Sequence, residues 1–366
     1  MIAWLLISFF VLLFLGVPIA MSLGLSAMGG ILFLGGGSTV TIAQRMFEGM
    51  NSFALLAIPL YTFAGFTMSK GGISKRLMDF CYSIVGHIYG GLAHVNVLSS
   101  MIFAGISGSA VADTAGVSGM FMPEMVRKGY SKNFTVAVTA ISSTIGIIIP
   151  PSIPMVVIAG ICGISTGKLF LGGIIPGVLC GLAQMIVSYF MAKKEGVPKE
   201  PGHFTIGPVL HGLWESWPAL LMPIIIVGTI TMGIVSPTEA GVIAVVYGLF
   251  AGGIIYRELK WEDIKFAFAE TVRTSGRIFI VIGAAKLYTV MLTTAGFDKW
   301  VAKTMLGFST NPTVILIMIL LIFFIVTMFM ESIATLTLFM PILYPIALGV
   351  GIDPIVLSVL ITVVIG

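Results

Sequence analysis

What most constrains this chain is the recurrence, from its first residues to its last, of apolar runs long enough to cross a hydrocarbon core of about 30 Å. The first reads MIAWLLISFFVLLFLGVPIA (1–20) and the last DPIVLSVLITVVIG (353–366). In a bilayer no water is at hand for backbone N–H and C=O groups, so a spanning segment has to satisfy them itself. Helices are therefore the expected element, and the expected fold class is an all-α polytopic membrane protein. Of 366 residues 58% are hydrophobic and 9% charged, where a soluble domain is charged at about a quarter of its positions. That balance leaves no stretch from which a separate soluble domain could be built. The net charge of +4 is spread over short loops, RKGYSK (127–132), KKEGVPKE (193–200) and YRELKWEDIK (256–265), as membrane-flanking loops are and nucleic-acid surfaces are not. The first run lacks a basic leader and its apolar core outruns that of a signal peptide, so it reads as a retained helix. Cys81, Cys162 and Cys180 lie scattered in apolar context without redox or metal spacing, as buried core thiols do.

Two interruptions break the apolar pattern. GISGSAVADTAG (105–116) separates two arms of about 15 residues, each about 22 Å of helix and too short to span comfortably. A re-entrant hairpin over 91–126 is the expected form, its tip at membrane depth facing protein or a cavity. Further on, IIIPPSIP (147–154) falls inside a helix expected over 134–165. Prolines at 150, 151 and 154 withdraw the donors for the carbonyls of Gly146, Ile147 and Pro150, and Ile149 is biased to an extended conformation. A half-helix ending there carries partial negative charge, and with the hydroxyls of Ser107, Ser109 and Ser152 it offers oxygens to a small cation. The second hairpin arm and the half-helix after the break would turn N–H groups toward an anion. Such tips and kinks also serve close helix packing; the presence of both in one unit, with a counterpart elsewhere, favours an ion site.

That counterpart is a faint internal repeat. Pro18 and Pro237 lie 219 residues apart, the FMP triplets ending at Pro123 and Pro341 lie 218 apart, Asp113 and Glu331 also 218, and Gly72 and Gly296 224. The implied organisation is a first repeat over 1–165, a linking helix and polar linker over 166–216, and a second repeat over 217–366. The second repeat holds a hairpin over 311–348 and the beginning of a broken helix over 354–366. An odd number of spans per repeat would invert the second relative to the first, and inversion is the expectation. The partner of the Pro-Pro break is missing at the end of the sequence, which points to a longer parent chain.

Single residues sharpen this picture. Asp113 and Glu331 are acids inside apolar arms, functional candidates by default, with a helix N-terminal charge role as the alternative. Glu239 in SPTE (236–239) fits a capping box, with Ser236 as N-cap and Pro237 at the first helical position. Lys286, inside IFIVIGAAKLYTVML (278–292), either snorkels, pairs with an acid or faces an anion. Arg273 and Arg277 mark an interfacial stretch, and Trp4, Trp214, Trp217, Trp261 and Trp300 sit near segment ends as interface anchors. GISG also has the form used by rhomboid intramembrane serine proteases. Its serine, Ser107, needs a histidine within reach, yet His87 and His94 precede it and His203 and His211 lie in the polar linker; the protease is a remote alternative. A channel would need a sustained polar face, and no helix carries one.

GISGSAVADTAG, PEMVRKGYS (123–131), IIIPPSIPMVVIAG, GIVSPTEAGVIAVVYG (233–248) and MESIATLTLFMPILYPIALGVGIDP (330–354) together resemble the large membrane (permease) subunit of tripartite ATP-independent periplasmic (TRAP) transporters. The resemblance implies a multi-pass protein of the bacterial inner membrane. It would be a sodium-driven secondary transporter and not an enzyme, working as an elevator, with Na+ as coupling ion and no other cofactor. Its partners would be a small membrane subunit, membrane lipid and a periplasmic substrate-binding protein that delivers an organic acid such as a C4-dicarboxylate or a sialic acid. Carried over to this sequence, one sodium would lie between Gly105, Ser107, Ser109 and Gly146, Pro150, Ser152, and another near Met328, Met330 and Ser332. The carboxylate substrate would sit between the tips, near Ser107, Gly108, Asp113, Pro151 and Glu331. Glu331 departs from the aspartate expected there, keeping the charge and lengthening its reach. The nearest rival is a sodium/carboxylate or oxyanion carrier of similar architecture that needs no receptor.

Overall fold

Every regular element among the described residues is helical, the outcome that so apolar a chain demands of its backbone. The structure, a computed structural model, describes residues 1–35, 38–197 and 204–366; part of the expected linker, with His203, lies outside them. The helices are α1 (Ile2–Phe14), α2 (Ile19–Leu34), α3 (Thr39–Met50), α4 (Ala57–Lys70), α5 (Ile73–Val85), α6 (Gly91–Ser107), α7 (Ala110–Arg127), α8 (Lys132–Thr144) and α9 (Ile153–Cys162). They continue with α10 (Thr166–Lys194), α11 (Ile206–Thr231), α12 (Pro237–Phe250), α13 (Trp261–Thr294), α14 (Phe297–Phe308), α15 (Pro312–Thr327), α16 (Ser332–Gly349) and α17 (Pro354–Ile365). Five are long and apolar enough to cross a membrane: α10, α11, α12 with the π-helical turn that prolongs it to Ile255, α13 and α16. The protein is a multi-pass membrane protein. α3 and α4 form a further apolar pair, bent by 66°.

The chain forms two compact units, and each contains segments from both halves of the sequence. The first takes Met1–Leu56, Pro154–Thr166 and Thr274–Ile365. Its core joins Leu5 and Phe9 of α1, Leu23 and Ala27 of α2, Leu287 and Tyr288 of α13, and Ala334 and Leu338 of α16. The Tyr288 hydroxyl, buried among them, donates to the Leu5 carbonyl at 2.9 Å, which meets the requirement that a buried phenol find a partner.

The second unit takes Ala57–Ile153 and Gly167–Arg273. Small residues let its helices approach closely, as membrane bundles require. A Cβ on Gly241 of α12 would lie 2.8 Å from the Leu60 Cβ of α4, and one on Gly71 2.9 Å from the Gly252 Cα. Tyr61 ties the same two segments, donating to the Pro237 carbonyl at 2.8 Å. α12 starts with the capping box that SPTE predicts: Ser236 accepts from the Glu239 N–H, and the Glu239 carboxylate accepts from the Ser236 N–H at 2.6 Å.

Gly72 and Gly296 hold matching positions as left-handed caps, φ 79° and 81°, ahead of α5 and α14. The two acids stand at different places in their helices. α7 and α16 are both 18 residues long, and by position along the helix Pro123 matches Pro345, not Pro341. Asp113 is the fourth residue of α7, whereas Glu331 is the N-cap of α16. The slip is four residues, about one helical turn, so the apolar faces stay in register and the sequence pattern cannot detect it.

Candidate functional site

The first interruption is a tight tip in the second unit. α6 ends at Ser107, Gly108 takes the left-handed conformation (φ 64°), and α7 begins at Ala110 with Ser109 as N-cap. Gly108 is required there twice over: L side chains avoid its φ, and a Cβ would lie 2.5 Å from the Pro151 carbonyl oxygen. The tip and the broken helix are bonded directly, the Ile153 N–H donating to the Gly108 carbonyl at 3.1 Å. Close approach continues on other sides. A Cβ on Gly105 would lie 2.8 Å from the Pro223 ring, and one on Gly65 3.2 Å from Ser107.

The break itself runs from the end of α8 through a 3-10 turn (Ile145–Ile147) and Pro150–Ser152 to the start of α9. One expectation is modified: the Ile147 carbonyl is not left bare, because the Ser152 hydroxyl donates to it at 2.5 Å. Likewise the first N–H of α9, on Ile153, is already committed to Gly108. Gly146 remains beside the tip, so close to Asp113 that a Cβ there would collide with the carboxylate.

Asp113 is fully buried. One carboxylate oxygen accepts a short bond from the Ser107 hydroxyl; the other has no hydrogen-bond partner and faces Gly146. An unpartnered buried carboxylate oxygen is costly unless something positive meets it. Here the Ser107 hydroxyl and the Ser109 carbonyl bond Asp113 itself, Gly146 of the break lies beside it, and no cationic side chain pairs with it among the described residues. One carboxylate with hydroxyl and carbonyl oxygens is the kind of donor set a hard cation takes. Gly105, Ser107, Gly108, Ser109, Asp113, Gly146, Pro150, Pro151 and Ser152 all belong to this one unit, and direct contacts join the tip to the break.

Sequence reasoning missed the buttress of this site. Asn96 and Ser100 of α6 meet Thr139 and Ser142 of α8 in a buried network. The Asn96 amide donates to Thr139 at 2.8 Å, Ser142 donates to the Asn96 carbonyl oxygen at 3.1 Å, and Ser100 donates to Ser142 at 3.0 Å. The signal was available in the small polar residues spaced three, four or seven positions apart, at 96, 100 and 107 on α6 and at 135, 139 and 142 on α8. Such a stripe holds the first arm against the first half of the broken helix.

In the first unit the second tip joins α15 to α16. Met328 is exposed and Met330 buried, and the Ser332 hydroxyl donates to the Ile365 carbonyl at the end of α17, 3.3 Å away. Glu331 realises its helix-cap alternative, with one carboxylate oxygen accepting from the N–H groups of Ile333 (3.0 Å) and Ala334 (3.3 Å). The two acids thus differ: Glu331 is exposed and caps a helix end with one oxygen, whereas Asp113 is fully buried with one oxygen unpartnered.

The remaining candidates lie elsewhere or are otherwise engaged. Ser107 gives its hydroxyl to Asp113, and His94 sets Nε2 at 3.1 Å from the Tyr89 carbonyl, so these two are not paired with each other. Lys286 runs its stem past Gly49, where a Cβ would lie 2.6 Å away. Trp214, Trp261 and Trp300 are exposed, as interface anchors are, and the three cysteines are unpaired.

The sequence pattern of the family described as the DctM component of tripartite ATP-independent periplasmic transporters matches residues 6–366. The isethionate TRAP transporter permease protein DctMQ of Oleidesulfovibrio alaskensis is 38% identical over 97% of this chain and 56% of its own length. The sialic acid TRAP transporter large permease protein SiaM of Vibrio cholerae is 36% identical over 94% of this chain and 80% of its own. For the C4-dicarboxylate TRAP transporter large permease protein DctM of Pseudomonas aeruginosa the figures are 37%, 93% and 80%. The chain therefore spans little more than half of the first relative and four-fifths of the other two.

Proposed function

The chain belongs to the DctM component family of tripartite ATP-independent periplasmic transporters, and from that premise we propose that it is the large permease subunit of a sodium-coupled importer of an organic anion in a bacterial inner membrane. The observation that carries the reading is the unpartnered carboxylate oxygen of Asp113, fully buried beside Gly146 and the Ser107 hydroxyl. Sodium would bind there between the tip and the break, Asp113 supplying the charge, and Ser107 and Ser109 with carbonyls of the break supplying neutral oxygens. Binding a cation at this point fixes tip and break relative to each other, which couples the ion to the part of the protein that meets the cargo. A second sodium at Met328, Met330 and Ser332 is the counterpart.

Three relatives are named for isethionate, sialic acid and C4-dicarboxylates, all organic anions, and that supports an anionic cargo here. A periplasmic binding protein delivers it, and a small membrane subunit completes the assembly; one relative is named DctMQ. The matching caps at Gly72 and Gly296 and the equal lengths of α7 and α16 support the two repeats; their inversion in the membrane and an elevator movement are part of the proposal.

The test is uptake into proteoliposomes holding the complete assembly. An inward sodium gradient with loaded binding protein should drive accumulation, and collapsing the gradient should abolish it. Accumulation indifferent to sodium would refute the coupling. Uptake that proceeds equally well without any binding protein would favour the receptor-independent carrier instead.

A further inference from the structure

Away from the tip, the second unit carries an apolar groove of about 540 Å³ between the start of α6 and the last third of α10. Leu182, Ile186, Tyr189 and Phe190 form one wall, Ile88 and His94 the other. The His94 ring is fixed by its Nε2 contact to Tyr89, so the wall offers almost nothing but carbon. Leu182, Ile186 and Phe190 are about half exposed or more. From Leu182 to Phe190 the groove follows about 12 Å of helix, close to the roughly 15 Å depth of one hydrocarbon leaflet.

The end of the groove is charged. Lys193 and Lys194 stand four residues beyond Tyr189 and Phe190, hence on the same helical faces one turn further along. Both are exposed, and neither has an ion-pair partner among the described residues. Glu195, the adjacent acid, accepts from the Ser131 hydroxyl at 2.8 Å. The turn carrying the lysines is pinned in place: Gly90, left-handed at φ 78°, comes so near Ala192 that a Cβ would lie 2.6 Å from the alanine Cβ. An open, carbon-lined groove running about 12 Å along the helix, ending at two exposed cations that have no ion-pair partner among the described residues, matches one amphiphile.

We propose that this groove is a binding site for an anionic phospholipid, one acyl chain lying along Leu182–Phe190 and the phosphate headgroup on Lys193 and Lys194. An apolar helix of a second subunit would fill the slot but leave both lysines without a counter-ion, whereas the phosphate satisfies them.

The full chain, purified in mild detergent and titrated with phosphatidylglycerol or phosphatidylethanolamine, tests this by native mass spectrometry. Wild type should retain phosphatidylglycerol preferentially. The Lys193→Ala/Lys194→Ala variant should lose roughly 25-fold in phosphatidylglycerol affinity while binding phosphatidylethanolamine as wild type does, and Lys193→Arg/Lys194→Arg should restore it. Equal retention of the two lipids by wild type overturns the proposal. So does a photo-crosslinking residue at Ile186 that, in native membranes, captures a polypeptide and no phospholipid.

Discussion

The Ser107 hydroxyl donates to one oxygen of the Asp113 carboxylate across the first hairpin tip, and Asp113's other oxygen faces Gly146 without a partner. The arrangement is stable as a protein core only if the carboxylate is neutralised, and useful for coupling only if what neutralises it comes and goes. Asp113→Asn separates these two demands. It keeps shape and volume and removes the isolated buried charge, which costs more than it returns in the absence of a cation. The expected outcome is sodium-driven uptake down by about 100-fold or more, while thermal unfolding in sodium-free detergent is unchanged or shifted upward. Uptake that keeps its sodium dependence in Asp113→Asn would remove Asp113 from the coupling site.

Gly146→Ala probes the same contact from the other side. The added methyl meets the carboxylate directly, and the backbone it stands on is gripped by the break, so Asp113 has to move. Overpacking of this kind costs about 1–3 kcal/mol. The specific expectation is that sodium no longer raises the unfolding temperature, since a ligand stabilises only what it binds. Gly119→Ala is the control: nothing lies within 4 Å of its would-be Cβ, and an alanine inside helix α7 should be neutral or stabilising by about 0.5–1 kcal/mol. A sodium-dependent shift of wild-type size in Gly146→Ala would break the link between that glycine and the ion.

How much of this could be read in the sequence follows from which forces are local. Proline and glycine act on their own backbone, so the break at Pro150–Pro151, the tip at Gly108 and the capping box at Ser236 were visible as letters. Helix ends came out within a few residues for the same reason, α6 and α7 covering Gly91–Arg127 where a hairpin over 91–126 was expected. What could not be read was register. An apolar helix slid by one turn presents nearly the same face, so Asp113 and Glu331 looked equivalent although one is a cap and the other is four residues inside its helix. Nor did the sequence reveal which buried hydroxyls would find each other: Asn96 and Ser142 lie 46 residues apart, and only the packing of α6 on α8 makes them partners.

That network carries a prediction of its own. Asn96→Ala removes the donor to Thr139 and the acceptor for Ser142 at once, leaving two buried hydroxyls to find other partners. Soluble proteins lose about 1–3 kcal/mol for such orphans, and bonds between membrane helices are worth about 0.6 kcal/mol each on average. A loss of about 1–2 kcal/mol is expected, read from unfolding in detergent. A purely structural residue would stop there. If the network positions the tip, half-maximal uptake in Asn96→Ala will require several-fold more sodium, with the apparent affinity for cargo at saturating sodium little changed. An unaltered sodium requirement would reduce Asn96 to a packing residue.

Orientation in the membrane can be argued from charge once the helix ends are gathered. In the second unit the end of α7 (Arg127, Lys128), the start of α8 (Lys132) and the end of α10 (Lys193, Lys194) share one end of the bundle. Contacts hold them there: Ser131 bonds Glu195, and the Tyr130 hydroxyl accepts from the Leu92 N–H at 3.2 Å. Among the described residues, five cations stand at this end against Glu124, which pairs with Arg127, and Glu195. Basic residues flanking short loops are retained on the cytoplasmic side, so this end is expected to face the cytoplasm and the first hairpin, whose two arms start and finish there, to enter from that side. Single cysteines in place of Lys132 and Lys193, in a background with Cys81, Cys162 and Cys180 replaced, test it with a membrane-impermeant maleimide. Both should label in inverted vesicles and resist labelling in intact spheroplasts. Labelling from the outside would reverse the assignment and place the first tip's entrance on the periplasmic face, where it would meet the binding protein directly.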